Sequence, residues 1–366
     1  MSLFLVIAFS IYTLMHAVVV WGIRPLLLGH RAAAPLVWAV MLFFGLSPLA
    51  MRFLERAGHH ALARTLAWLG FTWMGFLFLA FSCFVLLGAI TLLFFGAGKV
   101  LPALGGFTPY GPQASVAVLL LVTAAGLQGM YSAHDLRIER VALQTQKLPK
   151  GRTVRVAQVT DVHLGLMSRD EVLAPIVAAV EGLKPDLLVA TGDMVDAEIS
   201  VLNGLSQIWK RLTPPLGKLA IMGNHEHYAG LAESRKFLEE SGFTVLVDEG
   251  VVVGDIFCAG VDDNSRADEA TLLGKSGGRF TLFLKHRPLV SEKSKGLFDL
   301  MLSGHTHGGQ IFPFRLLTAT QFPMYRGMFE LVGGGRLYVS RGTGTWGPPM
   351  RVGAPPEITL FEITGI

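Results

Sequence analysis

Apolar residues dominate the first 135 positions of the chain, where they form four runs separated by short polar connectors. The runs cover residues 3–22, 33–50, 66–95 and 115–131, and the third contains no charged residue. A helix needs about 20 apolar residues to cross a bilayer. None of the runs has the polar face of a helix in a soluble core. The pattern therefore predicts an α-helical membrane domain of about four transmembrane helices over residues 1–135.

Beyond residue 152 the pattern changes to short apolar strands that alternate with helical periodicity. Strands are predicted at 154–160, 187–190 and 218–222, and helices at 169–183, 201–212 and 231–240. The chain from residue 243 onward is rich in strands, predicted at 244–247, 251–254, 280–284, 298–302, 337–340 and 358–363. This alternation predicts an α/β domain over 153–366, in which ligands bind at the carboxyl ends of the strands. Residues 136–152 are polar and are predicted to be a linker.

Composition agrees with a membrane protein. The chain is 51% hydrophobic and 16% charged, with a mean hydropathy of +0.50, whereas a soluble domain has about 25% charged residues. A net charge of +4 gives no reason to expect a nucleic-acid partner. Cys83 and Cys258 lie in apolar surroundings and have no zinc-finger spacing, so we predict two buried free thiols.

Lys and Arg residues between the predicted helices indicate the orientation in the membrane. If the helices alternate, the 51–65 connector and the segment after the fourth helix share the more positive side. We therefore expect both termini and the second domain in the cytoplasm. The residues on that side are Arg52, Arg56, Arg64, Arg137, Arg140, Lys147 and Lys150, against Arg24, Arg31 and Lys99 on the other.

Side chains that bind metal ions follow the predicted strands, in five successive clusters. Each cluster alone has an ordinary explanation, such as a Gly-Asp turn, an Asn helix cap or a surface histidine. Five clusters in succession, each at a strand end, favour a shared site. Their Asp, His and Asn side chains suit Mn, Fe or Zn as ligands. The number of these side chains is about twice what one ion needs. The residues are Asp161, His163, Asp193, Asp196, Asn224, His225, His286, His305 and His307.

These clusters resemble the motifs of the calcineurin-like metallophosphoesterase superfamily: D-x-H, G-D-x-x-D, G-N-H-[ED], a lone His and G-H-x-H. The resemblance covers residues 154–366 and is strongest to bacterial transmembrane members. It implies an α/β metallophosphoesterase domain, a β-sandwich flanked by helices, after the membrane domain. It also implies two divalent metal ions and an activated hydroxide that attacks phosphorus.

Individual roles follow from the resemblance. One metal ion would be held by Asp161, His163, Asp193 and His307, and the second by Asp193, Asn224, His286 and His305. Asp193 would bridge the two ions. His225 would act as general acid, oriented by Asp196.

Three further residues are candidates for substrate binding: His227, Arg287 and Arg341. Apolar turns at 322–325 and 346–349 suggest contact with a bilayer or an acyl chain. We therefore expect a membrane-anchored phosphoesterase that cleaves a phosphodiester or pyrophosphate bond in a lipid-linked substrate, for example a UDP-diacylglucosamine-type lipid A precursor.

Two alternatives stay open for the function. One is a broad phosphodiesterase acting on envelope polymers at the periplasmic face. The other is a catalytically silent membrane scaffold, against which the complete motif set argues. The expected location is a bacterial inner membrane, and the sequence leaves the oligomeric state open.

Overall fold

The computed structural model describes residues 3–28, 30–104, 107, 109–196 and 202–366. The chain divides into two compact units. Unit 1 consists of residues 1–130 together with 347–350, and unit 2 of residues 131–346 and 351–366.

Unit 1 contains four helices that are long and apolar enough to cross a membrane, as the hydrophobic pattern predicts. Each helix extends beyond its apolar run, and the third reaches 39 residues. At 1.5 Å per residue, such a helix is about 58 Å long, well beyond a single bilayer crossing. The helices are α1 (Leu3–Leu28), α2 (Ala34–Arg56), α3 (His60–Gly98) and α4 (Pro112–Ser132).

Small residues allow these helices to pack closely. A Cβ at Gly22 of α1 would collide with the Phe84 ring of α3, and one at Gly126 of α4 would collide with Phe76. Close approach at glycine is the usual way in which membrane helices gain van der Waals contact. The packing of α1 and α4 on α3 therefore depends on these two glycines.

Unit 2 is built on two six-stranded mixed sheets. The first has the order β1-β12-β2-β3-β4-β5, and the second β10-β11-β9-β8-β7-β6. The strands are β1 (Arg137–Lys150), β2 (Thr153–Val159), β3 (Leu187–Thr191), β4 (Lys218–Ile221), β5 (Thr244–Val245), β6 (Glu249–Val253), β7 (Ile256–Gly260), β8 (Phe280–Leu284), β9 (Leu300–Ser303), β10 (Gly327–Glu330), β11 (Arg336–Val339) and β12 (Glu357–Gly365).

In the described part of unit 2, six helices accompany the sheets. The helices are α5 (Asp170–Leu183), α6 (Leu205–Lys210), α7 (Asn224–Ala229), α8 (Leu231–Glu240), α9 (Glu269–Leu273) and α10 (Arg315–Gln321). Of these, α5, α6 and α8 cover the outer face of the first sheet. One apolar cluster joins the first sheet to α5, α6 and α8. A second, which includes Val156, Leu282 and Phe361, fills the space between the sheets. β2, β3, β8 and β9 are buried along most or all of their length, which explains their continuous apolar runs.

The structure differs from the sequence prediction in several elements. Residues 136–152, predicted to be a linker, contain the 14-residue strand β1. β1 lies at the edge of its sheet, where it pairs with β12, and is largely exposed, so its polar residues do not show the apolar pattern that predicts a strand. β7 and β10 were not predicted. The helix expected from residue 201 begins at Leu205, and residue 201 lies outside the described residues.

Neighbouring parallel strands have their carboxyl ends at the same edge of a sheet. β2, β3 and β4 run parallel in one sheet, and β8 and β9 in the other. We call the end at which these five strands terminate the carboxyl edge. β12 is antiparallel to β2 and parallel to β1, so Arg137, the first residue of β1, pairs with Glu357 at this same edge.

Candidate metal centre

The metal-binding side chains predicted from the sequence converge at the carboxyl edge. Backbone hydrogen bonds tie the loop after β2 to the loop after β3: the Asp161 amide donates to the Gly192 carbonyl at 3.0 Å, and the His163 amide to the Asp193 carbonyl at 3.1 Å. The His305 amide donates to Asp161 Oδ1 at 2.9 Å, which adds the loop after β9. Loops that are distant in sequence are therefore held as one assembly.

The backbone of this assembly is unusual. Asp161, His163, Asp193, His305 and His307 all have a positive φ, between 49° and 70°. Residues other than glycine rarely adopt this left-handed region, and strain of this kind concentrates at functional sites. The loops therefore hold their side chains in place at a conformational cost.

The first group of potential ligands consists of Asp161, His163 and His307, whose ligand atoms lie within 4.8 Å of one another. Nε2 of His163 is 3.0 Å from Nε2 of His307, and the latter is 3.5 Å from Asp161 Oδ1. Two nitrogen ligands at about 2.1 Å from one ion and at a right angle are about 3 Å apart. The spacing of the two imidazoles therefore fits a shared metal ion.

The second group consists of Asp193, His286 and His305. Nε2 of His286 lies 3.1 Å from Asp193 Oδ2. Oδ1 of Asn224 is buried without a hydrogen-bond partner. Buried polar atoms are normally satisfied, so an unsatisfied acceptor in the loop after Gly223 suits a cation. Asp193 Oδ2 is also 4.0 Å from His163 Nε2, which places this carboxylate between the two groups.

Burial and neighbouring charges set the protonation of these histidines. Burial and the positive charge of His286 lower the pKa of His305 to about 3, so the ring is neutral and able to bind a metal. Burial would also lower the pKa of His286, but the charge and hydrogen bond of Asp193 raise it to about 10. In the metal-free protein His286 is therefore an imidazolium paired with Asp193.

His225, the predicted general acid, lies beside this centre. Its Nδ1 is 2.5 Å from Asp196 Oδ1, and its ring is 4.7 Å from that of His163. Burial would raise the pKa of Asp196, but the nearby imidazole of His163, 3.6 Å away, and the hydrogen bond with His225 lower it to about 2. The ionised carboxylate therefore accepts from Nδ1–H of His225 and leaves Nε2 available. Ligand atoms of His225, His163 and Asp193 also form a third group within 4.8 Å.

Two glycines make room for the carboxylates. A Cβ at Gly223 would occupy the place of Asp193 Oδ1, and one at Gly304 that of Asp161 Oδ2. Gly223 has an extended backbone, so its role is to give space. Gly192, by contrast, has φ +91°, a turn conformation that glycine adopts readily.

Each predicted substrate-binding residue has a carboxylate partner. Nε2 of His227 lies 3.0 Å from Asp262 Oδ2, and Nη2 of Arg287 lies 2.9 Å from Asp263 Oδ2. Nη2 of Arg341 lies 2.6 Å from Glu139 and 2.7 Å from Glu357. Arg287 directly follows His286, and His227 lies two positions after His225. Arg341 instead joins strands β1 and β12. Their contact with substrate stays a prediction.

Sequence reasoning gave no role to Glu226. Its buried carboxylate accepts four backbone N–H groups: those of Asp193 (2.9 Å), Met194 (2.7 Å), Val195 (3.2 Å) and Gly223 (2.7 Å). It thus joins the loop of Asp193 to the loop of Asn224 and His225. The only sequence signal for Glu226 is its place as the last residue of the G-N-H-[ED] motif.

Sequence reasoning also missed Arg351. Its guanidinium is fully buried, donates to the carbonyls of His307 (3.0 Å) and Gly344 (3.1 Å), and lies 3.2 Å from His307 Nδ1. Burial lowers the pKa of Arg351 to about 10. The Arg351 guanidinium thus holds the backbone of the His307 loop, and Nε2 of His307 faces His163. An arginine after Pro-Pro-Met gives no sign of this position.

Comparison with known proteins agrees with the geometry. Residues 154–309 match the family described as calcineurin-like phosphoesterase. An uncharacterized metallophosphoesterase of Aquifex aeolicus is 39% identical over 66% of this chain and 98% of its own length. One from Campylobacter jejuni is 32% identical over 58% of this chain and 60% of its own.

An animal relative also matches. A Bos taurus protein, named transmembrane protein with metallophosphoesterase domain, is 29% identical over 74% of this chain and 67% of its own length. With the motif residues gathered at the carboxyl edge, the matches lead to one conclusion: the chain belongs to the calcineurin-like metallophosphoesterases, a family of metal-dependent phosphoester hydrolases.

Proposed function

We propose that this protein hydrolyses a phosphodiester or pyrophosphate bond at a centre of two divalent metal ions. The observation that carries the proposal is the position of Asp193 between two groups of imidazoles. Asp161, His163 and His307 would hold one ion, and Asn224, His286 and His305 the other, with Asp193 shared. Mn²⁺, Fe²⁺ and Zn²⁺ all suit these ligands.

When bound, the two ions supply a water-derived nucleophile at neutral pH and neutralise charge on the phosphoryl oxygens. The chain's own residues do the rest. His225, held by Asp196, donates the proton from Nε2 to the departing oxygen. The Asp193 carboxylate receives the His225 amide at 2.9 Å, which fixes the acid relative to the ligands. Arg287 and His227 would contact the substrate beyond the scissile bond.

The substrate that we propose is a phosphate ester or pyrophosphate carried by a membrane lipid, of which a nucleotide-diphosphate-linked acylated sugar is one example. The four membrane-spanning helices support this, because a tethered catalyst meets lipid-borne substrates at a high local concentration. The Lys and Arg distribution supports a cytoplasmic catalytic unit, and the bacterial relatives support an inner membrane.

The test uses the full chain in detergent, stripped of metal and refilled with Mn²⁺, Fe²⁺ or Zn²⁺. Hydrolysis of bis-p-nitrophenyl phosphate and p-nitrophenyl phosphate would be measured beside that of dispersed nucleotide-linked lipids. We expect metal-dependent turnover of diesters that is lost in Asp193→Asn and reduced in His225→Asn. A preference for the lipid would support the membrane-borne substrate. Turnover that does not need metal would contradict the two-metal proposal, and absent turnover would favour the scaffold.

A further inference from the structure

An exposed apolar segment follows directly after the loop that carries His305 and His307. The segment comprises residues 312–317, from the end of that loop into α10. Four of its side chains are large, apolar and exposed: Phe312 (43%), Phe314 (48%), Leu316 (60%) and Leu317 (63%). Single exposed leucines are common on soluble proteins, but four such residues among six form a patch of the kind that marks a binding surface.

The inner side of the apolar segment is fixed to the metal centre. A Cβ at Gly309, which has φ +79°, would collide with the backbone of Arg315. The buried ring of Phe322, just after α10, lies 5.2 Å from that of His305. The Phe312 amide donates to the Val352 carbonyl at 3.0 Å. The exposed side chains therefore project from a firmly packed base.

The apolar segment also lies at the edge of unit 2 that receives the chain from the membrane helices. Val352 belongs to the stretch leading into β12, whose first residue Glu357 pairs with Arg137 at the carboxyl edge. Ser132, the last residue of α4, precedes Arg137 by five positions. Five residues span at most about 18 Å. The carboxyl edge is thus attached to the end of a membrane-spanning helix by a very short connection.

We infer that the apolar segment inserts into the headgroup and upper acyl region of the bilayer. Phenylalanine and leucine side chains beside an arginine are the residues that short interfacial segments use. The Arg315 guanidinium, 4.8 Å from the centre of the Phe312 ring, is placed to meet lipid phosphates. Because Gly309 and Phe322 join this segment to His305 and His307, insertion would fix the depth of the metal centre. The inference goes beyond the proposed reaction, since it concerns a lipid-binding surface.

The experiment measures depth with a nitroxide spin label, using the full chain reconstituted in vesicles of phosphatidylethanolamine and phosphatidylglycerol. The label is attached to Leu317→Cys or Leu316→Cys in a Cys83→Ala, Cys258→Ala background. Collision with oxygen, which partitions into lipid, is compared with collision with a water-soluble nickel chelate. The matched control is Val332→Cys, which is 88% exposed in the turn between β10 and β11. That turn lies opposite the carboxyl edge, because Arg336 pairs with Leu300 at the start of β9.

We expect the ratio of oxygen to nickel collisions at positions 316 and 317 to exceed that at 332 on the order of fivefold. Equal ratios at 317 and 332 in vesicles would overturn the inference. Label depth does not depend on turnover, so this result is separate from the fate of the proposed reaction.

Discussion

The carboxylate of Asp196 lies 2.5 Å from Nδ1 of His225, in a contact that sets both the tautomer and the direction of the imidazole. Asp196 is ionised at all working pH values, because the nearby imidazole of His163 and the hydrogen bond with His225 lower its pKa to about 2 against the effect of burial. His225 therefore keeps its Nδ1 proton towards Asp196 and offers Nε2 to the substrate. The pair is arranged as a proton donor with an orienting group.

The leaving group should reveal whether this pair acts as an acid. Removing a general acid costs about 10²- to 10⁴-fold when the leaving oxygen needs a proton, and much less for p-nitrophenolate. We expect Asp196→Asn and His225→Asn to slow hydrolysis of alkyl phosphodiesters far more than that of p-nitrophenyl diesters. The measurement is kcat across a series of leaving groups of rising pKa. Equal losses across the series would assign the pair a structural or metal-binding role instead.

Glu226 should be as important for metal retention as a ligand, although it touches no metal position. In Glu226→Gln one acceptor oxygen is replaced by an NH2 group, which is a donor. The backbone N–H groups that faced that oxygen then lack an acceptor, at a cost of about 1–3 kcal/mol for each unsatisfied group. We expect a lower melting temperature and less than full metal content by elemental analysis. Glu240→Gln is the control, since Glu240 is exposed on α8 and forms a loose ion pair with Lys236 at 3.9 Å. Unchanged metal content would remove the positioning role.

Metal binding should release protons. His286 has a pKa of about 10, raised by Asp193, so at pH 7 it is protonated before a metal ion displaces that proton. Apparent affinity should therefore rise with pH, about tenfold per unit below pH 10 for this group. Titration calorimetry in buffers of different ionisation heat counts the released protons. His286→Asn should release one fewer, whereas His305, with a pKa of about 3, contributes none. Affinity that falls as pH rises would contradict this assignment.

The sequence predicts the candidate metal-binding residues because each of them lies in a loop that follows a buried strand. It predicts the membrane helices because lipid requires long apolar runs. It misses β1, whose residues are polar because they lie at a sheet edge. It also gives no role to Glu226 or Arg351, which act through backbone groups from distant parts of the chain. Such contacts leave no periodic pattern, so only the folded arrangement reveals them.

Arg351 gives the last prediction, because its guanidinium is the fully buried cation that holds the His307 loop. Arg351→Met would leave the Gly344 carbonyl without its guanidinium donor and the His307 carbonyl with the Gln310 amide alone, and we expect a loss of about 3 kcal/mol or more. The loop that carries His307 also loses this anchor, so one metal equivalent should bind more weakly. Thermal unfolding and metal titration measure the two effects, with Arg336→Met as control, since Arg336 pairs with exposed Glu330. Arg351→Lys should recover part of the stability by retaining one charged donor. A variant as stable and as metal-replete as the control would show that the loop is held by its other contacts.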